Sequence, residues 1–451
     1  MKIRLAVCAS VAALGVCAGT TTATATASTT ATARASAAAV AVASASAAQT
    51  AVPAATSTAD GGTSPAAPAA RFDPAGLKSA LNDVHRAGMP GVFAEVRDSG
   101  RTWRGASGVA DVTTGRPVRA DMKHRVGSIS KTFTAAAVMQ QVEQGRIRLD
   151  APIGDHLPHL VPGERGRKIT VRMLLNHTSG IPDYIPYAFP SLQGFPSLPD
   201  MSSKSLDENC FREFRPAELI EMGLAAPPAG EPGGPTGVYS NTNYILLGQL
   251  LEQVTGSTAE EYITRHVIAR AGLRHTEFPA GPRIHGPHSR MYESFFGLLD
   301  PPRDYSVYTN SWVGPSAGLV STVEDLNRFY AKLLDGRIVS RASLEQMQQT
   351  LPVRALDGST IRYGLGLHEV STGCGTFWGH DGSAWGAGAI SLTRADGKRQ
   401  MSVAINMMRW NKLDASGTPQ PHPIDGALTT LYAKTMCGDG TAHTAGVTPG
   451  P

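Results

Sequence analysis

The chain has 451 residues, a hydrophobic content of 41% and a formal net charge of +4, from 41 lysines and arginines against 37 aspartates and glutamates. That length holds one large domain or two ordinary ones, and that hydrophobic content supplies a core. The near-even charge, with no basic run carrying interleaved aromatics, leaves nucleic-acid binding without support.

The first residues carry a secretory pattern. Lys2 and Arg4 make a positive start, residues 5–18 are apolar but short for a bilayer span, and small residues follow at Ala25-Thr26-Ala27 and Ala45-Ser46-Ala47. A signal peptide over 1–27, or up to 47 with the later cleavage site, is expected, and with it a secreted protein without a membrane anchor. A lipidated Cys17 is disfavoured by Val16, where a small residue is usual. Residues 28–70 are mostly Ala, Thr, Ser, Val and Pro and offer little large apolar surface to bury, so they read as a disordered leader. Residues 438–451 read as a similar tail. One folded domain is expected over 71–437.

Within it, Asp73-Pro74 reads as the cap and first residue of a helix to about Arg86, with Leu77, Leu81 and Val84 on one face. Residues 91–97 and 101–109 read as a hairpin around Asp98-Ser99-Gly100. A helix is predicted from Ser128 to about Gly145. The region 146–315 reads as mostly helical, with helices at 170–176, 216–224, 241–254 (closed by Gly256) and 259–271. Residues 181–210 are long for a structureless loop and read either as a functional lid or as an insertion without a catalytic role. Thr322-Val323-Glu324-Asp325 reads as a capping box opening a helix to about Leu334. Strands are predicted at 362–370, 377–379, 385–394 and 399–407, the last two joined by Asp396-Gly397, and a helix at 424–436 closes the domain. The absence of βαβ alternation points to an α+β fold with an antiparallel sheet.

Of the ten lysines, only Lys131 has a serine three residues before it, Ser128. On a helix that spacing puts both on one face. A serine hydroxyl needs a base within hydrogen-bond reach, and an amine serves only if burial or nearby positive charge lowers its pKa. The pair therefore suggests acyl transfer; its plainer reading is a capping serine beside a solvated lysine. Tyr239-Ser240-Asn241 lies at a helix mouth, where Tyr239 can relay a proton and Asn241 can hold a substrate carbonyl; a tyrosine and a capping asparagine are the plainer reading. His380-Asp381-Gly382 follows a strand, with Gly382 allowing close backbone approach; a simple turn is the alternative. Gly314-Pro315-Ser316-Ala317-Gly318 fits a nucleophile elbow, but Pro315 and the late helix start at Thr322 disfavour Ser316. No His-x-x-x-His or Cys-x-x-Cys array occurs, so neither a metal nor a cofactor is expected. Cys8 and Cys17 fall in the signal. Cys210, Cys374 and Cys437 remain, and export favours one pair among them.

Taken in order, Ser128-x-x-Lys131, Tyr239-x-Asn241 and His380-x-Gly382 resemble the serine penicillin-recognising enzymes of the class C type, nearest to the secreted D-alanyl-D-alanine carboxypeptidases of actinomycetes. The resemblance spans about 75–437. It includes Gly108-Val109-Ala110-Asp111, Thr114-Gly115-Arg116-Pro117, Arg125-Val126-Gly127-Ser128, Leu174-Leu175-Asn176-His177-Thr178-Ser179-Gly180 and Tyr363-Gly364-Leu365-Gly366-Leu367. It implies a β-lactamase/transpeptidase-like fold: an antiparallel sheet flanked by helices (71–127 and 320–437) with an inserted all-helical domain (128–319). It implies Ser128 as nucleophile, Lys131 as base, Tyr239 as proton relay and Asn241 as the holder of the substrate amide. The amides of Ser128 and Ser383 would form the oxyanion hole. His380 would stand where class C β-lactamases carry lysine and the carboxypeptidases carry histidine. It also implies a Cys374–Cys437 disulfide, with Cys210 free. A peptide or ester is the implied substrate, β-lactams are the implied covalent inhibitors, and a monomer is expected.

Two positions depart from the carboxypeptidase pattern. Asp381 stands at a threonine position, and His368 stands where an arginine lies about twelve residues before the third motif. A carboxylate beside a substrate carboxylate repels it, and a histidine is only partly charged at neutral pH. The expectation is a D-Ala-D-Ala carboxypeptidase-like serine hydrolase on peptidoglycan-type peptides. The alternatives are an esterase or amide hydrolase of the same fold on neutral substrates, and an inactive penicillin- or peptidoglycan-binding module.

Overall fold

Asp73 caps the first helix, α1 (Pro74–Arg86), by accepting from the Ala75 and Gly76 amides, with Pro74 in the first turn. The computed structural model describes residues 72–192 and 202–438. The predicted signal and leader, the tail beyond 438 and the middle of the 181–210 segment lie outside the described residues.

After α1 come β1 (Gly91–Asp98) and β2 (Arg101–Asp111), then α2 (Ser130–Glu143), entered through a 3-10 turn at Gly127–Ile129. A run of short helices leads to α3 (Asn241–Thr255), closed by Gly256 at φ 69°. Next come α4 (Val323–Leu334), capped by Thr322, then β3 (Leu351–Arg354), β4 (Thr360–Tyr363), β5 (His368–Thr372), β6 (Gly375–Ala384), β7 (Ala387–Arg394) and β8 (Arg399–Ile405). α5 (Pro423–Cys437) ends the fold. The main sheet runs β2-β1-β8-β7-β6-β5-β4-β3, with every neighbouring pair antiparallel. Two-residue strands extend both edges: Arg116–Pro117 beside β2, and Gly237–Val238 parallel to β3.

Alternation sorts the sheet's side chains onto two faces. Val92, Val96, Phe377, Ile390 and Val403 meet α1 and α5 through Leu77, Leu81, Val84, Leu428 and Leu431. Full burial of each such side chain contributes about 1.5–3 kcal/mol. Phe93 and Ala404 face the other way, onto Val323 of α4. Asn327 of α4 bolts this side by donating to the Glu95 carbonyl (3.1 Å) and accepting from Ser402 Oγ (2.9 Å). Every residue of α2 from Ser130 to Gln141 is buried. A helix without a solvent face lies inside a core, here the largest one, shared with α3. Cys374, just before β6, is bonded to Cys437 at the end of α5, and Cys210 is free.

Three segments differ from the predicted pattern. The strand expected at 362–370 is a hairpin, β4 and β5, turning at 364–367. Its breaker is Gly366 at φ 76°, where a Cβ would lie 2.4 Å from the Ala135 Cβ of α2. The surrounding residues are apolar or aromatic and mask that turn. The strand predicted at 377–379 runs on as β6 through His380-Asp381-Gly382, and the chain turns at Gly386 (φ 70°). The stretch 128–319 is not wholly helical. Gly237–Val238 joins the main sheet, while Tyr292–Glu293 pairs with Arg303–Asp304 and Met407–Met408 in a small sheet.

Candidate active site

Two glycines bring two backbones together where β6 crosses the start of α2. A Cβ on Gly382 would lie 2.1 Å from the Val126 carbonyl oxygen and 2.6 Å from the Ser128 nitrogen. A Cβ on Gly127, which has φ 53°, would lie 2.6 Å from the Ser383 nitrogen. The missing side chains let the backbones bearing the Ser128 and Ser383 amides approach closely, as an oxyanion site built from two amides requires.

Lys131 points up from the first turn of α2, fully buried, with Nζ 3.0 Å from Ser128 Oγ. Nζ also donates to Asn241 Oδ1 (2.6 Å) and to the Ser316 carbonyl oxygen (3.0 Å). A neutral amine has two N–H bonds and one electron pair. The two carbonyl oxygens use the N–H bonds, and the electron pair is left facing the serine hydroxyl. Burial pulls the Lys131 pKa down to about 7, against the charges of Asp183 and Asp381, which raise it. Tyr239 is buried beside it, its ring centre 5.0 Å from Nζ and its hydroxyl bonded to Ser128. Burial raises the Tyr239 phenol well above its ordinary range, so it stays protonated. Near neutral pH, Lys131 is therefore the group able to take the Ser128 proton, and Tyr239 the one able to hand a proton on.

His380 of β6 is buried with both ring nitrogens engaged. Nε2 lies 3.0 Å from the Tyr363 hydroxyl, and Nδ1 bonds the Asp381 carbonyl oxygen. Burial, with His368 and Lys131 close by, holds His380 well below the usual histidine range, so the ring is neutral. Tyr363 reaches Tyr244 (3.4 Å), which donates to the Leu175 carbonyl (2.8 Å). His177, at φ 63°, accepts the Ser240 N–H on Nδ1 (3.2 Å) and packs its ring against Tyr239 at 4.2 Å.

The two positions that depart from the carboxypeptidase pattern touch each other. His368 pairs with Gly379 across β5 and β6, which sets it diagonal to Asp381 on the same face. His368 Nδ1 lies 3.1 Å from Asp381 Oδ1, and the His368 and His380 rings are 4.0 Å apart. The Asp381 side chain is 24% exposed. Burial lowers the His368 pKa, with Lys131 adding to the effect and Asp381 opposing it. Among the described residues, His368, His380 and Asp381 form a group whose ligand atoms lie within 4.8 Å of one another. His380 uses both of its nitrogens within the protein, on Tyr363 and the Asp381 carbonyl, while His368 pairs with the Asp381 carboxylate.

Ser128, Lys131, Tyr239, Asn241, His368, His380, Asp381, Gly382 and Ser383 thus lie next to one another in one site. Ser316 is not placed as a nucleophile. Its hydroxyl is buried and donates to the Val313 carbonyl (2.6 Å), and Gly314–Ala317 is a short helix rather than a strand-to-helix elbow. Its backbone carbonyl serves the site instead, as a Lys131 acceptor. Asn241 gives one amide hydrogen to Asp183 (2.7 Å), which leaves the other for a substrate carbonyl. Sequence reasoning did not place Asp183, His177, Tyr244 or Tyr363. His177 and Tyr363 lay inside motifs already noted; Asp183 was hidden in the 181–210 segment, read either as a lid or as an insertion without a catalytic role.

A mostly antiparallel sheet, a buried helix starting at Ser-x-x-Lys and a facing strand carrying His-x-Gly are the features expected of the penicillin-recognising class. The chain belongs to the beta-lactamase family, whose model matches residues 77–422. It is 27% identical over 315 residues to Penicillin-binding protein 4* of Bacillus subtilis, covering 66% of this chain and 64% of that protein. It is 26% identical over 328 residues to D-aminopeptidase of Cereibacter sphaeroides, covering 72% of this chain and 58% of that protein. The chain therefore spans less than two thirds of either relative. The crystal structure of a D-stereospecific amidohydrolase from Streptomyces sp. superposes with a TM-score of 0.67 at 31% identity, covering 81% of this chain and 99% of that one.

Proposed function

We propose that this serine hydrolase cleaves amides of D-amino acids or D-peptides through a Ser128 acyl-enzyme, and that its substrates lack a free C-terminal carboxylate. Lys131 takes the Ser128 proton as Oγ attacks the carbonyl carbon. The oxyanion rests on the Ser128 and Ser383 amides. Tyr239 passes the proton to the departing nitrogen, the C–N bond breaks and the amine leaves. Water then repeats the sequence, with Lys131 as base, to release the acid and restore Ser128.

The observation that carries the choice of substrate is the His368–Asp381 pair. In the carboxypeptidases that this site resembles, the substrate carboxylate meets a threonine and an arginine at these positions. Here it would meet a carboxylate and a histidine held toward its neutral form. Similarity to the Streptomyces amidohydrolase and to the D-aminopeptidase supports the same reading. D-Ala-D-Ala carboxypeptidase action is the second reading, favoured by His380 in the third motif and by similarity to Penicillin-binding protein 4*. An inactive binding module fits poorly with a fully buried Lys131 set on Ser128. The secretory pattern of the N-terminus supports action outside the cell.

A labelled fluorophosphonate or penicillin will acylate the purified protein, and Ser128→Ala will abolish this while Ser316→Ala will not. Labelling that survives in Ser128→Ala sinks the acyl-enzyme. A turnover panel then sets a D-Ala-D-Ala peptide against its C-terminal amide, a short ester and a chromogenic β-lactam. Preference for the amide is expected; preference for the free acid would replace this reading with the second.

A further inference from the structure

A carboxylate outside the three motifs is built into the base. Asp183 is half-buried, and its Oδ2 accepts two hydrogens from Asn241: the backbone N–H (2.9 Å) and a side-chain N–H (2.7 Å). Its Oδ1 accepts the Ile185 N–H (2.8 Å). The segment carrying it is bolted to the mouth of α3, because the Pro182 carbonyl accepts from both Ser240 Oγ (3.1 Å) and Thr242 Oγ1 (2.6 Å).

An asparagine amide has nearly the same shape when its oxygen and nitrogen are exchanged, so sterics alone do not orient it. Its partners do. Asp183 accepts on one side and Lys131 donates on the other, so the Asn241 oxygen must face Lys131. Exchanging the two ends would aim an N–H at the amine, removing one of the two acceptors that direct its electron pair.

We propose that Asp183 is a positioning residue for the catalytic base: by taking the Asn241 N–H groups it fixes the Asn241 oxygen on Lys131, which turns the free electron pair of the amine onto Ser128. The inference rests on Ser128 and Lys131 acting as nucleophile and base. A purely structural role is the competing account, since the first amides of any helix need acceptors and Asp183 supplies one to α3.

The test uses the full chain and a small fluorophosphonate with no peptide arm, which makes no demand on substrate contacts. Asp183→Asn is expected to slow acylation by about 100-fold, within the range that a misplaced general base costs. It is also expected to move the acid limb of the rate to lower pH, because a negative charge near Lys131 is lost. The other titratable groups around Lys131 are Asp381, His177, His368, His380, Tyr239 and Tyr244, and the substitution leaves each in place. The exchange Asp183→Asn with Asn241→Asp re-creates one acceptor between two donors. It is expected to recover about tenfold over Asp183→Asn, with the acid limb moved above that of the parent, because a carboxylate then touches Lys131. A variant Asp183→Asn that loses thermal stability yet keeps the parent rate and acid limb overturns the proposal. So does an exchange no faster than the single change. Ser128→Ala run in parallel keeps the two questions apart: its labelling would refute the acyl-enzyme, whereas an unaffected Asp183→Asn refutes only the positioning role.

Discussion

At one end of the site Lys131 is fully buried and held by Ser128, Asn241 and a backbone carbonyl; at the other end Asp381 is 24% exposed and its carboxylate meets the rings of His368 and His380. The partners of the first group come from α2, α3 and the segment before α4, so its position is a property of the whole core. The second group depends on three side chains of two adjacent strands, His368 on β5 and His380 and Asp381 on β6. The core thus holds Lys131 against Ser128, while the proposed substrate preference rests on residues nearer the surface, whose charge still reaches Lys131.

The largest expected effect breaks the first end. Lys131→Ala should lower kcat/KM by about 10³- to 10⁴-fold, the upper range of general-base catalysis. In the parent enzyme the base must be unprotonated, so kcat/KM should rise with pH and level off above a midpoint near the Lys131 pKa of about 7. An acid limb centred near pH 4 would mean that a carboxylate, not Lys131, controls acylation.

A smaller effect, on preference rather than rate, sharpens the second end. Asp381→Thr together with His368→Arg should shift the ratio of kcat/KM for a free-acid peptide over its amide by about tenfold toward the acid. Removing one unit charge at contact distance and adding its opposite is worth several kcal/mol at an effective dielectric near 20, and partial exposure screens it to roughly 1–2 kcal/mol. The two residues touch at 3.1 Å, so the single changes should not add up to the double. An unchanged ratio would place the leaving group away from β6 and remove the main support for the amide reading.

The contrast between the two ends also explains what the sequence could disclose. Ser128, Lys131, Tyr239 and His380 were legible because their chemistry demands fixed types at fixed local spacing. The departures at His368 and Asp381 were legible as oddities. Their mutual contact was not, because it depends on the β5–β6 register, in which His368 pairs with Gly379, and an unbroken strand over 362–370 gives no sign that a new strand starts at His368. Asp183 was harder still. It is 52 residues from Lys131 in sequence, inside a Pro- and aromatic-rich segment, and only the docking of residues 182–185 on α3 gives it a role. The long helical expectation for 146–315 missed Gly237–Val238 for a related reason: two residues cannot show strand periodicity, and their pairing comes entirely from β3.

The smallest effect on turnover should come from a region that touches neither end. The Cys374–Cys437 bond closes a sequence separation of 63 residues and ties the start of β6 to the end of α5. Loss of a constraint of that length costs about 4 kcal/mol in the chain-entropy view and typically 2–5 kcal/mol in practice. Changing both cysteines to alanine should therefore lower the midpoint of denaturant unfolding clearly. β6, however, is paired along its length with β7 and over its first half with β5, and the register at His380-Asp381-Gly382 is set by that ladder rather than by its end. Below the unfolding transition, kcat/KM of the double variant should stay within about twofold of the parent. A tenfold loss under conditions where the protein remains folded would show that the bond positions β6 over Ser128, and β6 would then owe its place to a clamp rather than to its neighbours.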